Sequence, residues 1–254
     1  PLALAFLFAQ RAFVRGVTDG LGLYLNIIAS LIAFTAFAAL INIILSAAPD
    51  VAGAPLTLAS ASPRRRQLLH QIGVPHVVRP ADVDESRRRG ESPREYALRV
   101  AVDKAEAGWR AAAGAGPVLA ADTAVALDDE LYAKPADRAD CVRILGALSG
   151  RTHEVLTAVA LRHAGGLASA LQVSRVTFRA LSVEECERYW ATGEPVDKAG
   201  AYAIQGLGAV FVTRLEGSFS GVMGLPLAET AGLLARAGIG IWQAATDRKT
   251  SRSR

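Results

Sequence analysis

The sequence predicts an α/β domain, a mixed β-sheet with flanking helices, preceded by an apolar N-terminal helix. Three observations carry this expectation. Residues 20–49 contain no charged side chain, whereas the chain from Leu56 onward mixes charged and apolar residues throughout. Within that second part, the runs VLAADTAVAL (118–127), HEVLTAVALRH (153–163) and ALQVSRVTFRAL (170–181) read as strands. Helices with well-marked starts stand among them, but strands and helices do not alternate strictly, so a pure doubly wound parallel sheet is not expected.

The N-terminal run LGLYLNIIASLIAFTAFAALINIIL, within residues 21–47, exceeds the ~20 apolar residues that a membrane-spanning helix needs. It is too long and starts too late for a signal peptide. It predicts a membrane tether, against the alternative of a buried helix in a soluble domain. Arg11 and Arg15 on one side and Arg64 to Arg66 on the other do not fix an orientation. SAAPDVAGAP (46–55) reads as a linker. The division expected is a hydrophobic segment with its linker at 1–50, an α/β domain at 55–241 and a basic tail at 242–254.

Net charge over the 254 residues is +4, and part of it sits in the terminal RKTSRSR. The rest is close to neutral, which argues against a duplex nucleic acid partner. The two cysteines, Cys141 and Cys186, are far apart and outside any CxxC pair. That usage fits the reduced, cytoplasmic compartment and gives no zinc motif. His70, His76, His153 and His163 form no ligand pattern and are expected as surface or packing residues.

From Leu56 the elements follow in order. LTLAS opens as a short buried strand, and PRRRQLLHQ follows as a helix with Ser62 as N-cap, Pro63 in the first position and Gly73 at its close. Ser92-Pro93 with Glu95 makes a capping box for a helix to about Ala113. Asp137 caps a helix ending near Gly150, and Ser182 with Glu185 caps SVEECERYWATG. AGGL (164–167) reads as the turn between the second and third strands, and PLAETAGLLARAG (226–238) as a last amphipathic helix.

Five places stand out chemically. Arg64, Arg65 and Arg66 crowd the first turn of a helix, where the macrodipole makes cations unfavourable by ~0.3–1 kcal/mol each. Free helix N–H groups with guanidinium donors would suit phosphate oxygens, although an ordinary solvated basic turn gives the same pattern. Asp122 of ADT is expected at the C-terminal end of a buried strand, where it would serve as a metal ligand, a general base or simply a cap. Glu85 in DVDES reads alone as part of a solvated loop. Lys104, on the helix after Ser92, and Lys134, in AKPAD, suit phosphate as point charges but read equally as surface lysines. Gln205 precedes Gly-Leu-Gly; its amide could read a base edge, or the segment could be a plain turn. No GxxxxGK[ST] loop occurs, GLG does not extend to a dinucleotide fingerprint, and GSFSG (217–221) puts Phe where a hydrolase elbow needs Ser.

Together LASASPRRRQLL, DVDES, ESPREYALRVAVDKA, VLAADTAV, AKPAD, LGALSGRTHEVLTAVAL, DKAGAYAIQGLGAVFV and EGSFSGVMGLPL resemble the Maf family of nucleoside triphosphate pyrophosphatases over about 56–240. The resemblance implies a Maf/ITPase-like fold with a central nucleotide cleft. It implies hydrolysis between the α and β phosphates, giving a monophosphate and pyrophosphate with the help of Mg²⁺ or Mn²⁺. Asp122 matches the catalytic base and Glu85 a second acidic residue, both candidates for the metal. Ser62, Arg65, Lys104 and Lys134 match groups that hold the triphosphate. Arg64, Thr123 and Gln205 look like the subgroup acting on dTTP and UTP. A homodimer is also implied, and the alternative is a non-catalytic nucleotide- or nucleic-acid-binding regulator of septum formation. Ala124 stands where the family usually has Val, and RRRG after DVDES is unusually basic. The apolar N-terminus, foreign to that family, resembles the last transmembrane helix of concentrative nucleoside transporters.

Overall fold

The computed structural model describes residues 55–242. The apolar run at 21–47, with Arg11 and Arg15, and the tail from 243 onward lie outside the described residues. Among the described residues no helix is long and apolar enough to cross a membrane.

Seven strands form one mixed sheet: β1 (Leu56–Leu58), β2 (His76–Val78), β3 (Val118–Leu127), β4 (Glu130–Tyr132), β5 (Thr152–His163), β6 (Gly166–Phe178) and β7 (Val212–Glu216). Their order is β2-β1-β3-β5-β6-β7, with β4 paired to β3. β1 lies parallel to β2 and β3, and the other pairs are antiparallel. The flanking helices are α1 (Pro63–Gln71), α2 (Pro93–Ala111), α3 (Arg138–Leu148), α4 (Val183–Trp190), α5 (Phe219–Met223) and α6 (Leu227–Arg236).

The period-two alternation of β3 divides the core. Its even-numbered residues Val118, Ala120, Ala124 and Ala126 pack with Ala97, Ala101 and Ala105 of α2 and with Ala158 and Ala160 of β5. On the opposite face Leu119 and Ala121 meet Leu68 and Leu69 of α1 and Leu233 and Leu234 of α6. Val125 and Leu127, further along that face, join Ile144, Leu145 and Leu148 of α3. So many alanines on the α2 side let the helix approach closely, which brings even a mid-helix side chain within reach of the strand.

The sheet is interrupted beside β3. β1 pairs with it at Val118 and Leu119, and β4 pairs with it only from Val125 to Leu127. Residues 120–124 therefore have β5 on one edge and no strand on the other. β1 ends at Leu58, and the chain enters α1 at Pro63 instead of continuing along β3.

Several sequence expectations need correction. Asp122 is not at a strand end but in the middle of β3, because the apolar run continues through Leu127. It is nonetheless at an opening, the gap where β1 has stopped. Ser62 stands at the N-cap of α1, but its side chain makes no cap hydrogen bond. The third strand begins at Gly166 rather than at 170, since His163 pairs with Gly166 across a two-residue turn. β2, β4 and β7 are additional to the strands expected from the sequence; each has only three to five residues. The β3–β4 turn, Asp128-Asp129, takes positive φ at both residues, 51° and 64°, a hairpin geometry usually signalled by Asn-Gly or Asp-Gly. The capping boxes at Ser92 and Ser182 are both formed, and Asp137 accepts the Asp140 amide at 2.8 Å.

His153 is a packing residue. It is 1% exposed, and its ring meets Phe178 and Tyr202 edge-on. Nε2 lies 2.9 Å from the Tyr202 hydroxyl, while Nδ1 has no partner among the described residues. Burial pushes its pKa down to about 4 from the ordinary 6.5. The folded state thus resists a proton that the unfolded chain accepts, and the stability tied to this group is whole above pH 6.5 and falls as the pH drops toward 4. The gap amounts to about 3 kcal/mol. Thermal denaturation is expected to show Tm falling across pH 6.5 to 4, and His153→Phe is expected to flatten that slope while lowering Tm at neutral pH. An unchanged slope in the variant would refute the assignment.

Candidate active site

A cavity of about 620 Å³ opens at the gap in the sheet. All nine residues that the family resemblance assigns to the site line it: Ser62, Arg64, Arg65, Glu85, Lys104, Asp122, Thr123, Lys134 and Gln205. Asp122 and Thr123, on opposite faces of β3, reach one hollow because no strand closes the sheet between them.

Lys104 organises the α2 side. It lies on the buried stripe of that helix with Ala97, Ala101, Ala105 and Gly108. Its Nζ stands 2.8 Å from Asp122 Oδ1 and 2.8 Å from Glu85 Oε1. Lys104 and Asp122 are only 8% and 6% exposed, whereas Glu85 is exposed. Of the two Asp122 oxygens, Oδ1 is bound by Lys104 and Oδ2 has no hydrogen-bond partner among the described residues. Tyr96 also lines the cavity, and burial, assisted by Asp122 and Glu85, pushes its hydroxyl up to about 12.

On the other face, Arg65 gives Nε to the Gly224 carbonyl at 2.8 Å, Nη1 to Ser60 Oγ at 2.9 Å and Nη2 to Thr123 Oγ1 at 3.2 Å. Three of its five N–H donors are thus committed and two remain. Thr157 Oγ1 lies 2.8 Å from the Gly221 carbonyl and 3.1 Å from Thr123 Oγ1. A carbonyl only accepts, so the single Thr157 proton goes there and Thr123 supplies the proton between the two hydroxyls. Burial lowers the pKa of Arg65 and Asp122 pulls it back up; the guanidinium stays charged.

Arg64 donates Nε to the Met223 carbonyl at 3.2 Å, and its Nη1 is 3.8 Å from Asp197 Oδ2. Met223 and Gly224 close α5. Two of the three arginines at the start of α1 therefore dock on the carbonyl end of another helix, where positive charge is favourable. Arg66 is exposed and does not line the cavity.

Ser60, Tyr96, Asp197, Lys198 and Tyr202 line the cavity and were not singled out from sequence. Lys198 is ion-paired with Asp197 and donates to the Glu194 carbonyl at 3.3 Å. Its signal was the charged pair in VDKAGAY, beside a segment already chosen for Gln205. In all, Arg64, Arg65, Lys104, Lys134 and Lys198 face Glu85, Asp122 and Asp197, an excess of two positive charges. Such a hollow, with a buried carboxylate among its lining and guanidinium donors unspent, suits a polyanion and offers a carboxylate oxygen able to take a proton.

The Maf-like protein family model matches residues 55–237, and the chain belongs to that family. It is 55% identical over 185 residues to a dTTP/UTP pyrophosphatase of Methylococcus capsulatus, covering 73% of this chain and 92% of that protein. It is 53% identical over 186 residues to a dTTP/UTP pyrophosphatase of Chromobacterium violaceum, covering 71% and 93%. A solved nucleoside-triphosphatase / dITP/XTP pyrophosphatase of Mycobacterium abscessus is 17% identical with a TM-score of 0.38, covering 72% of this chain and 94% of that one, too loose a likeness to inform the site.

Removing Lys104 strands Asp122 as a buried, unpaired charge, a change that typically costs ~3–5 kcal/mol. Urea denaturation is expected to show a loss on that scale for Lys104→Met, with much of it recovered in Lys104→Met/Asp122→Asn. No recovery in the double variant would show that the pair is not what the single variant broke.

Proposed function

We propose that this chain is a nucleoside triphosphate pyrophosphatase acting on dTTP and UTP. The observation that carries this is the shared cavity: Arg64 and Arg65 at the mouth of α1 and Asp122 in the gap of β3 line one hollow. The names of relatives at 53–55% identity over nearly their whole length support the substrate class.

In this reading the triphosphate lies between the α1 mouth and Asp122. The remaining N–H groups of Arg65, with Arg64, Lys134 and the Ser62 hydroxyl, which makes no cap hydrogen bond among the described residues, bind phosphate oxygens and neutralise the pyrophosphate as it leaves. Asp122 accepts a proton from water through Oδ2, while Lys104 holds Oδ1 and keeps the carboxylate oriented. Water oxygen bonds to the α phosphorus, the bond from that phosphorus to the α–β bridging oxygen breaks, and the electron pair leaves with pyrophosphate. Gln205 and Thr123, which line the same hollow, meet the pyrimidine.

The residues fit a divalent cation. Asp122 and Glu85 converge on the single Lys104 ammonium, although no group of three His, Cys, Asp or Glu comes together among the described residues. One or two carboxylates completed by phosphate oxygens and water is the usual donor set for Mg²⁺. Asp122 and Glu85 would hold Mg²⁺ or Mn²⁺, which when bound supplies charge neutralisation on the phosphate oxygens.

A homodimer, a cytoplasmic location and a membrane tether through residues 21–47 complete the reading on sequence grounds. Sedimentation of the full chain and its partition between membrane and soluble fractions test them.

The deciding experiment is turnover of all common nucleoside triphosphates with Mg²⁺ or Mn²⁺, read by pyrophosphate release. dTTP and UTP are expected to lead. Asp122→Asn is expected to lose about 10²–10⁴-fold in kcat in a protein that still folds, since Lys104 keeps Glu85 as its charge partner. Tight nucleotide binding without turnover by the wild type would favour the non-catalytic regulator, and full activity in Asp122→Asn would remove Asp122 as the base.

A further inference from the structure

The Gly-Leu-Gly that follows Gln205 is explained by a carboxylate outside the cavity. Glu194 opens the short 3₁₀ turn Glu194–Asp197 after α4 and does not line the hollow. Its Oε2 accepts the Leu207 amide at 3.0 Å; its Oε1 accepts the Gly208 amide at 3.0 Å and the Tyr189 hydroxyl at 2.6 Å. That hydroxyl in turn accepts the Ala203 amide at 3.2 Å. The backbone is therefore gripped on both sides of Gln205, at Ala203 before it and at Leu207 and Gly208 after it.

The two glycines are what this grip demands. A Cβ on Gly206 would fall 2.1 Å from Glu194 Oε2, and one on Gly208 would fall 2.7 Å from the Tyr189 hydroxyl and 3.0 Å from the Ala203 carbonyl. Tyr189 is 5% exposed, with its ring edge-on to Phe211 at 5.0 Å, so the far end of the grip is set in the core. Burial works to raise the pKa of Glu194, but the Tyr189 hydroxyl and the two amides outweigh it and hold the group below the usual range, as a carboxylate. By contrast, the Gln205 side chain is exposed and makes no hydrogen bond among the described residues, so its place in the cavity is set by its backbone.

We infer that Glu194, with Tyr189, is a positioning residue that fixes the turn presenting the Gln205 amide, and so sets discrimination among pyrimidine bases rather than the phosphate chemistry. This rests on the reading of Gln205 as the group that meets the base. Uracil and thymine place an N–H donor beside a carbonyl, where cytosine places an acceptor beside an amino group. An amide carries both a donor and an acceptor and can pair with either edge by turning over. Discrimination then depends on where and how firmly the turn holds it.

The test is steady-state kinetics with UTP and CTP for wild type, Glu194→Gln, Gln205→Ala and the double variant. Glu194→Gln keeps the size but sets an NH₂ against one of the amide donors. KM for UTP is expected to rise roughly tenfold with kcat within about twofold, the signature of lost uniform binding. The UTP/CTP ratio of kcat/KM is expected to fall toward that of Gln205→Ala, with the double variant no worse than Gln205→Ala alone, as for residues acting through one another. Tyr189→Phe, which keeps the ring and removes only the hydroxyl, is expected to move the ratio in the same direction by less. It also decides the matter should Glu194→Gln fail to fold. Multiplying effects in the double variant, or an unchanged ratio in the folded Glu194→Gln or Tyr189→Phe protein, would overturn the inference. If wild type and Gln205→Ala differ in their UTP/CTP ratio while the Glu194 and Tyr189 variants match wild type, this inference alone fails. If wild type shows no preference, the reading of Gln205 falls and takes this inference with it.

Discussion

The site depends on one buried ammonium. Lys104 sits on the apolar stripe of α2 and is held there by Asp122 and Glu85, each at 2.8 Å. Without it, a carboxylate in the middle of a ten-residue buried strand would be an isolated charge, which a protein interior does not tolerate at modest cost. With it, the carboxylate is oriented and keeps one oxygen uncommitted. The alanine-lined contact between α2 and β3 makes this geometry reachable, since bulkier residues would hold the helix off the strand.

The second constraint is the gap itself. A sheet that ran unbroken from β1 through β4 along the edge of β3 would put Asp122 and Thr123 on faces separated by backbone. Because β1 stops at Leu58 and β4 begins pairing only at Val125, the two neighbours open onto one hollow. The arginines at the start of α1 then serve two ends at once. Arg64 and Arg65 cap the carbonyls that close α5, which offsets their poor placement on the α1 dipole, and Arg65, which lines the hollow, leaves two donors uncommitted. The same side chains thus tie α1 to α5 and supply positive charge to the cavity.

How much of this was legible in the sequence follows from what each feature depends on. Long strands and capped helices were readable, since alternation and capping boxes are local: β3 spans the run expected for it, and Ser92 and Ser182 cap as their spacing says. The convergence of the nine site residues was legible only through the combination of segments, because none of them is distinctive alone. Asp122 was placed at a strand end because a polar residue in an apolar run usually marks one; the partner that permits it mid-strand lies eighteen residues earlier, on a helix. A lysine in register with Ala97, Ala101 and Gly108 is the available signal, whereas Lys104 reads from the sequence as a phosphate-binding charge or a surface lysine. Lys198 and Glu194 were missed for a different reason: their roles arise from contacts between loops, which have no periodicity to read.

In the proposed function a nucleotide's phosphate chain spans the hollow from the α1 arginines to Asp122. The most direct measurement is a crystal structure of the full chain with a non-hydrolysable α,β-imido analogue of UTP and Mg²⁺. The triphosphate is expected between Arg65 and Asp122, with the α phosphorus nearest Asp122 and the base beside Gln205. Nucleotide bound outside this hollow, or lying in it with its α phosphorus remote from Asp122, would contradict it.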